Sequence, residues 1–340
     1  MRIMNWNIEH MNSWWEGGQN DPPILRPTFA GNNFSPAITD VPALAQRAGQ
    51  VISDVDPDVL TVQEGPGELE MAQFLDQFVD GDEWAIRRGA GGAQALLVAA
   101  RMDRVDGFDD ASSVAGDIDL SQKFTADIDA NLEFDEVAFA RKPQVVSITI
   151  NGQEMILLNN HLKSKFVSGA ESMFNAGGDE RKQFFADALI ARRRISGEAY
   201  RIRSFIDHLL ADNPSAQVIV AGDLNDGPGS DFFEENFLTH SVVDRIFGSV
   251  FLRDRQLTHV LLHGDSTDFT AQFFDFIADE TRDLILDHIG LSKGIVDNWS
   301  WLGRVAVAEY EAQVIDDPNL HERDRMPSDH RPVVVDLTPH

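Results

Sequence analysis

Short apolar runs alternate with polar clusters along the whole chain, and the runs set the expected elements. Met1 to Ile8 reads as a strand. Val41 to Val55 places Leu44, Ala48, Val51 and Ile52 on one helical face, with Asp40 as its cap and Pro57 beyond its end. Val59 to Val62 reads as a buried strand leading into Gln63-Glu64, and Leu69 to Val79 as a second helix. Trp84 to Arg88 and Ala95 to Ala100 read as strands about a glycine-rich turn at 89 to 92. Val137 to Arg141, Val145 to Ile150 and Met155 to Asn159 are three more. The last two are joined by Asn151-Gly152, a hairpin signal. Residues 166 to 178 read as a loop. Glu180 to Ala211 has helical character, with a break expected near Ser196-Gly197. Val218 to Ala221, Thr258 to Leu262, Leu284 to Leu291 and Val333 to Leu337 complete the strands. Residues 12 to 40 read as a long loop, and the Asp-rich, aperiodic residues 103 to 136 as an insertion. Strands outnumber helices, and hairpins mix with crossovers. That predicts sheet packed on sheet with helices outside, rather than a parallel doubly wound sheet.

The polar residues that follow or precede these runs carry the candidate chemistry. Asn7 ends the first run and Glu64 the second. His161 ends Leu157-Leu-Asn-Asn-His161, with Lys163 and Lys165 just beyond. Asp223 and Asn225 leave the run at 218 to 221, spaced so that an extended backbone turns both to one side. Asp287 lies within Leu284 to Leu291, and Asp329-His330 precedes Val333 to Val335. Strand ends of α/β sheets are where binding sites form. Taken singly, each residue has a plain reading as a strand end or an Asx turn. Taken together, carboxylates, amides and histidines suit a metal site for phosphate chemistry. Glu64 suits a hard cation, Asp223 a water, and Asn225 a phosphoryl oxygen. An Asp287–His330 pair would fix the imidazole tautomer. No glycine-rich nucleotide loop follows the first strand, and no zinc spacing of histidines and cysteines occurs.

Composition narrows the picture. With 340 residues and no cysteine, the chain has a large core and neither disulfides nor thiolate chemistry. The start lacks an apolar leader, and no apolar run is long enough to span a bilayer. The expected location is cytoplasmic, or secreted or periplasmic if a leader has been removed. Formal net charge is -28, from 56 acidic and 28 basic residues, of which 6 are lysine. Such a surface repels polyanions, within the ~10 Å reach that salt leaves it. Duplex DNA is therefore not the expected preferred substrate.

In chain order the clusters resemble the endonuclease/exonuclease/phosphatase superfamily, the group of deoxyribonuclease I, and in wording its bacterial nuclease-like members. The first strand ending in Asn7, Asp58-Val-Leu-Thr-Val-Gln-Glu64, Ala140-Arg-Lys-Pro143, Asn160-His-Leu-Lys-Ser164, Gly222-Asp-Leu-Asn225, Leu286-Asp-His-Ile289 and Ser328-Asp-His-Arg-Pro332 each match one motif. The likeness runs over residues 1 to 337. It implies a four-layer α/β sandwich, with two mixed, mainly antiparallel sheets face to face and helices outside. It implies one domain over residues 1 to 340, with insertions at 12 to 40 and 103 to 136.

The expected reaction is metal-dependent hydrolysis of a phosphoester, a phosphodiester first. Glu64 would bind Mg²⁺ or Mn²⁺, with Ca²⁺ as another option, and Asn7 and Asp329 would lie in or near the metal shell. Asp223 and Asn225 would position water and phosphoryl group. His330, oriented by Asp287, is the expected base. His161 would stabilise the transition state or protonate the leaving group, and Arg141 and Lys163 would meet the phosphate. The substrate is a small molecule or a nucleic acid. A nuclease, a phosphomonoesterase and a non-catalytic binding protein on the same fold are the alternatives. The oligomeric state is left open.

Overall fold

The computed structural model describes residues 1 to 340 except 18–20, 33–34, 80–82, 93, 117, 129–130, 132, 229–230, 239 and 263–267. Parts of the expected loop at 12 to 40 and of the stretch at 103 to 136 thus lie outside the described residues.

Sixteen strands are formed among the described residues. They are β1 (Arg2–Asn7), β2 (Val59–Gly65), β3 (Trp84–Arg88), β4 (Ala95–Arg101), β5 (Gly107–Asp110), β6 (Phe124–Ala126), β7 (Asp135–Val137) and β8 (Gln144–Ile150), then β9 (Gln153–His161), β10 (Val218–Asp223), β11 (Leu257–His259), β12 (Ala271–Asp275), β13 (Glu280–Leu284), β14 (Asp287–Ser292), β15 (Trp299–Val305) and β16 (Val333–Pro339). Two six-stranded sheets result, in the orders β15-β16-β1-β2-β4-β3 and β11-β14-β10-β9-β8-β5. Only the pairs β1–β2 and β9–β10 are parallel; every other pair within the two sheets is antiparallel. The reason is the connection. A parallel pair needs a long crossover, and these two have it in the helices α1 (Val41–Val55) and, for β9–β10, α3 (Ala170–Ala176) followed by α4 (Gly178–Asp212).

The two-residue alternation of the strands builds the layers. Ile3, Val59, Val98 and Val335 from one sheet meet Val146, Ile148, Leu157, Ile219 and Ile289 from the other in an apolar layer between the sheets. Their sequence neighbours face outward. Met4, Leu60, Leu97 and Val334 pack on Leu44, Ala48, Val51 and Ile52 of α1 and on Phe74 of α2 (Glu68–Phe78). Leu158, Val218 and Val220 pack on Ile195, Ile202, Phe205 and Ile206 of α4. Helix, sheet, sheet and helix make the four-layer sandwich that the motifs imply. The Asp40 carboxylate caps α1 by accepting the Ala43 N–H at 3.0 Å.

Several elements differ from expectation. Helix α4 runs 35 residues without a break at Ser196-Gly197. Ser196 Oγ donates to Arg192 O within the helix at 2.9 Å. Gly197 faces the β6–β7 hairpin, where a Cβ would make ordinary contact with Ala126 at 3.4 Å. Burial of Ile195, Ala199 and Ile202 outweighs the ~1 kcal/mol glycine penalty. The strand expected at Val137 to Arg141 stops at Val137, because Ala140 and Arg141 bond instead to Glu198, Gln94 and Leu162. Residues 170 to 176 of the expected loop are helical. The run Leu284 to Leu291 splits at Ile285-Leu286, whose backbone bonds to Pro228 and Leu224. Strands β12, β13 and β15 carry no clear alternation and were not foreseen. Within the stretch 103 to 136, β5 forms the edge of the second sheet and β6 half of a separate hairpin. No helix among the described residues is long and apolar enough to cross a membrane.

Candidate active site

The parallel pairs fix where the polar ends meet. Strands β1, β2, β9 and β10 all end toward one edge of the sandwich, at Asn7, Glu64, His161 and Asp223. Strands β4, β14 and β16 run the other way and begin there, next to Gln94, Asp287 and His330. Asn7 Nδ2 donates across the two sheets to Asp223 Oδ2 at 2.9 Å. His161 Nε2 lies 3.4 Å from Asp223 Oδ2 and 3.9 Å from Glu64 Oε1. His330 Nδ1 donates to Asp287 Oδ2 at 2.7 Å, joining motifs 43 residues apart. Asn7, His161, Asp223, Asp287 and His330 are all buried.

Local backbone geometry aims these side chains. The β2–β4 register shifts between Val62 and Gly65, a bulge that frees Glu64 from the ladder. Glu64, Asn225 and His10 all have positive φ, at 59°, 51° and 49°. Such a conformation costs of order 1–3 kcal/mol for a non-glycine residue and gathers at functional sites. Asp223 and Asn225 are therefore not an extended pair. The chain turns, the Asn225 N–H donates to Asp223 Oδ1 at 2.8 Å, and Asn225 Nδ2 donates to Leu162 O at 3.0 Å. The plain Asx-turn reading of this segment is what the backbone adopts. Gly222 permits the close pairing of β9 and β10, since a Cβ there would stand 2.0 Å from Asn160 O.

Glu64 is anchored through one oxygen. Oε2 accepts the His10 N–H at 2.9 Å and Gln94 Nε2 at 2.6 Å, and lies 3.1 Å from His10 Nδ1. Oε1 is left facing His161. Gln94 Oε1 in turn accepts two N–H groups of Arg141, at 2.6 and 3.1 Å, so Glu64 and Arg141 are held through a single amide. His10 and Gln94 were not foreseen. Their signal was present: Gln94 precedes an apolar run, and an antiparallel strand brings its start to the edge where its neighbour ends. Glu9, two residues after Asn7, was also missed. It pairs with Arg323 at 3.0 Å near Asp329.

Burial and charge set the protonation. Burial, then the nearby Asp287, pushes the Asp223 carboxyl up to about 7, although the His330 charge opposes this. Burial, with Asp329 close by, likewise takes Glu9 to about 7. Burial, with Arg141 and His330 adding to it, holds His161 well below the usual imidazole range. For His330 burial works the other way from its neighbours, yet Asp287 and Asp329 lift it well above that range.

Lys163 is half-buried, with Nζ on the Ser164 carbonyl at 3.3 Å; burial and Arg141 lower its pKa. Asp329 is half exposed and lies 3.9 Å from His330 Nε2. Among the described residues Asp223, Asp287 and His330 each bring one possible ligand atom within 4.8 Å of the others. Lys165 does not face a phosphate position, because it is bound to Asp226 and Glu234. Two of the α4 arginines are withheld from any basic track, while Arg193 and Arg194 stay exposed. Arg192 and Arg203 are buried against Asp231 and Asp207.

Glu198 of α4 ties two site segments down. Its carboxylate accepts the backbone N–H groups of Ala140 and Lys163, at 2.9 and 2.8 Å. Glu198→Ala is expected to leave both donors unpaired and to lower stability by about 1–3 kcal/mol for each that stays buried. Urea unfolding measures this. A loss below about 0.5 kcal/mol would show that water replaces the carboxylate.

No family model and no curated protein sequence matches the chain. Solved structures do. Truncated TDP2 of Caenorhabditis elegans matches with a TM-score of 0.51 at 16% identity, over 99% of this chain and 96% of that one. A mannosyl-6-phosphatase of Bacteroides thetaiotaomicron matches with 0.50 at 15%, over 99% of both chains. An endonuclease/exonuclease/phosphatase family protein of the same organism matches with 0.50 at 13%, over 99% and 97%. The chain thus has the endonuclease/exonuclease/phosphatase fold over its whole length, and at these identities the likeness is one of fold.

Proposed function

We propose that the chain is a metal-dependent phosphoester hydrolase acting on phosphodiesters. One observation carries the reading: side chains from both sheets converge on one edge through the Asn7–Asp223 and Asp287–His330 bonds, at 2.9 and 2.7 Å. A purely structural edge does not require two buried carboxylates of one sheet to be joined to an amide and an imidazole of the other.

The residues fit a hard cation. Glu64 Oε2 is saturated while Oε1 is not, and Asn7 Oδ1 is buried without a hydrogen-bond partner. An oxygen pair of this kind suits Mg²⁺ or Mn²⁺, and admits Ca²⁺. Glu64 and Asn7 would hold the ion, with Asp329 beside them. When bound, it would supply charge at a phosphoryl oxygen and at the leaving oxygen.

The chain's own groups do the rest. Asp223 is fixed by Asn7 and Asn225 and orients the attacking water. His330 keeps its Nδ1 proton on Asp287. Asp287 and Asp329 raise its pKa, so Nε2 takes the proton from water only where the charge of the bound cation would return the ring to its neutral form. Asp287 and Asp329 stabilise the imidazolium so formed. His161, held neutral, donates to the developing charge. Arg141, steadied by Gln94, meets the phosphate, and Lys163 adds charge at the rim. Both Asn225 N–H groups are engaged, so it acts by holding Asp223 rather than by donating to phosphate.

A panel of aryl phosphodiesters, aryl monoesters, phospholipids, RNA and DNA, assayed with Mg²⁺, Mn²⁺ and Ca²⁺, tests the reading. Turnover of no phosphoester with any of the three ions would reject it. A phosphomonoester preference, the activity named for the Bacteroides phosphatase, is the second reading. Within the diesters, catalytic efficiency on a small aryl diester is expected to equal or exceed that on plasmid DNA, per bond. The charge of -28 and the burial of Arg192 and Arg203 leave less to gather phosphates. Rapid plasmid nicking without small-diester turnover would reverse the ranking.

A further inference from the structure

A second polar cluster lies three residues past Asp223, and the proposed reaction makes no use of it. Asp226 follows β10, Glu234 lies on α5 (Phe232–Asn236), and His240 precedes α6 (Val242–Phe247). We propose that Asp226 Oδ1, Glu234 Oε1 and His240 Nε2 form a separate divalent-cation site of Zn²⁺ or Mn²⁺ type.

One ligand atom of each residue lies within 4.8 Å of the other two, and His240 Nε2 is 3.8 Å from Asp226 Oδ1. Bonds of about 2.0–2.2 Å around one ion need only a small contraction of that triangle. The histidine is the informative member. Its side chain is 3% exposed, and Nε2 has no hydrogen-bond partner. Ser196 Oγ donates its proton to Arg192 O at 2.9 Å, so it can only accept from His240 Nδ1, 3.2 Å away. The Nδ1–H tautomer follows, and the bare Nε2 lone pair points at a carboxylate. A lone pair buried against an anion has no favourable partner except a cation.

The outer oxygens are already held, as metal ligands require. Asp226 Oδ2 accepts the Val242 N–H at 2.6 Å, and Glu234 Oε2 accepts the Asp231 N–H at 3.1 Å. The Asp226 carbonyl accepts from His288 Nε2 at 2.8 Å. One imidazole with two carboxylates favours Zn²⁺ or Mn²⁺ over Mg²⁺ and Ca²⁺, which take oxygen.

Lys165 is the competing cation. Its Nζ bridges Asp226 Oδ1 at 2.6 Å and Glu234 Oε1 at 2.5 Å. Arg192 is bound to Asp231, with Nε 3.8 Å from Glu234. One ammonium therefore serves two carboxylates and leaves the imidazole unused. A dication satisfies all three. Lys165 is on the loop after β9 and is 15% exposed, so its flexible stem can swing the ammonium into water.

Co²⁺ is a visible stand-in for Zn²⁺. Metal-stripped wild type, Glu64→Gln and Glu64→Gln/His240→Ala would be equilibrated with Co²⁺ and metal counted after gel filtration. Glu64→Gln is expected to keep about one Co²⁺ per chain, with the intense absorption of a low-coordinate nitrogen-containing site. Adding His240→Ala is expected to weaken binding at least about 10-fold, the lower end for loss of even an outer-shell partner. No Co²⁺ in Glu64→Gln, or equal affinity after His240→Ala, would overturn the proposal. If His240→Ala does not fold, the spectrum of Glu64→Gln decides: a weak, all-oxygen spectrum rejects the site. Binding that appears only in Lys165→Met also rejects it, since the lysine is then the site's native cation.

Discussion

His330→Ala is expected to lower kcat on a small phosphodiester by about 10²–10⁴-fold, the range for a general acid–base group, with the fold intact. The backbone bonds of His330 are kept, while Asp287 loses its imidazole partner and is left buried, so an earlier melt is expected with the fold retained. The His330 carbonyl accepts Trp6 Nε1 at 2.8 Å, and its N–H donates to Ser328 Oγ at 3.1 Å. The side chain bonds only to Asp287, whose other oxygen is buried without a partner. Asp287→Asn should also impair turnover strongly. An amide can offer its NH₂ to Nδ1, which moves the imidazole proton to Nε2 and removes the acceptor from the reacting water. Circular-dichroism melting beside kcat separates the two effects. A His330→Ala protein that melts earlier but turns over normally per folded molecule would reduce the dyad to a strand cap. Asp223 would then be the better base.

Removal of the metal is the second large effect. Chelation is expected to abolish activity and added Mg²⁺ or Mn²⁺ to restore it. Glu64→Gln should cost about 10³-fold in kcat/KM at ordinary metal concentration, from several kcal/mol of lost charge stabilisation at 1.36 kcal/mol per tenfold. The substitution is nearly isosteric, but its donors are wrong. The Oε2 position receives protons from His10 and Gln94. The amide oxygen is therefore drawn there, and the NH₂ group is turned to the place of the cation. Part of the loss should return at high metal concentration. Full activity in excess chelator would sink the metal reading.

Much of this site was readable because each residue adjoins an apolar run. Asn7, Glu64, His161, Asp223 and His330 follow or precede continuous apolar runs, and order along the chain supplied the rest. Three kinds of residue were not readable. Gln94 adjoins an apolar run, but its contact with Glu64, like that of His10, depends on a bulge and on positive φ at Glu64 and His10, which leave no periodic trace. Glu198 lies within a helix whose neighbours suggest only a solvated face. Lys165 looked like a phosphate ligand from spacing alone. Its carboxylate partners, on α5 and after β10, lie about sixty residues and more further on.

The sequence by itself determined the elements and the edge. Continuous apolar runs such as Val59 to Val62, mixed with helical crossovers, implied sheet packed on sheet with helices outside, and the family resemblance implied the four layers. The polar ends marked which edge would carry chemistry. Only the tertiary structure decided which of those groups touch. Asp287 meets His330 because β14 and β16 belong to different sheets that pack face to face. Asn7 meets Asp223 for the same reason. The tertiary structure also decided which charges are free to act. Lys165 and Arg192 are used up by buried carboxylates, whereas Glu64 keeps one oxygen open. The physical reason is range. Local pattern reports which face of an element is apolar, while hydrogen bonds and ion pairs act over about 3–4 Å, a distance that sequence separation does not measure.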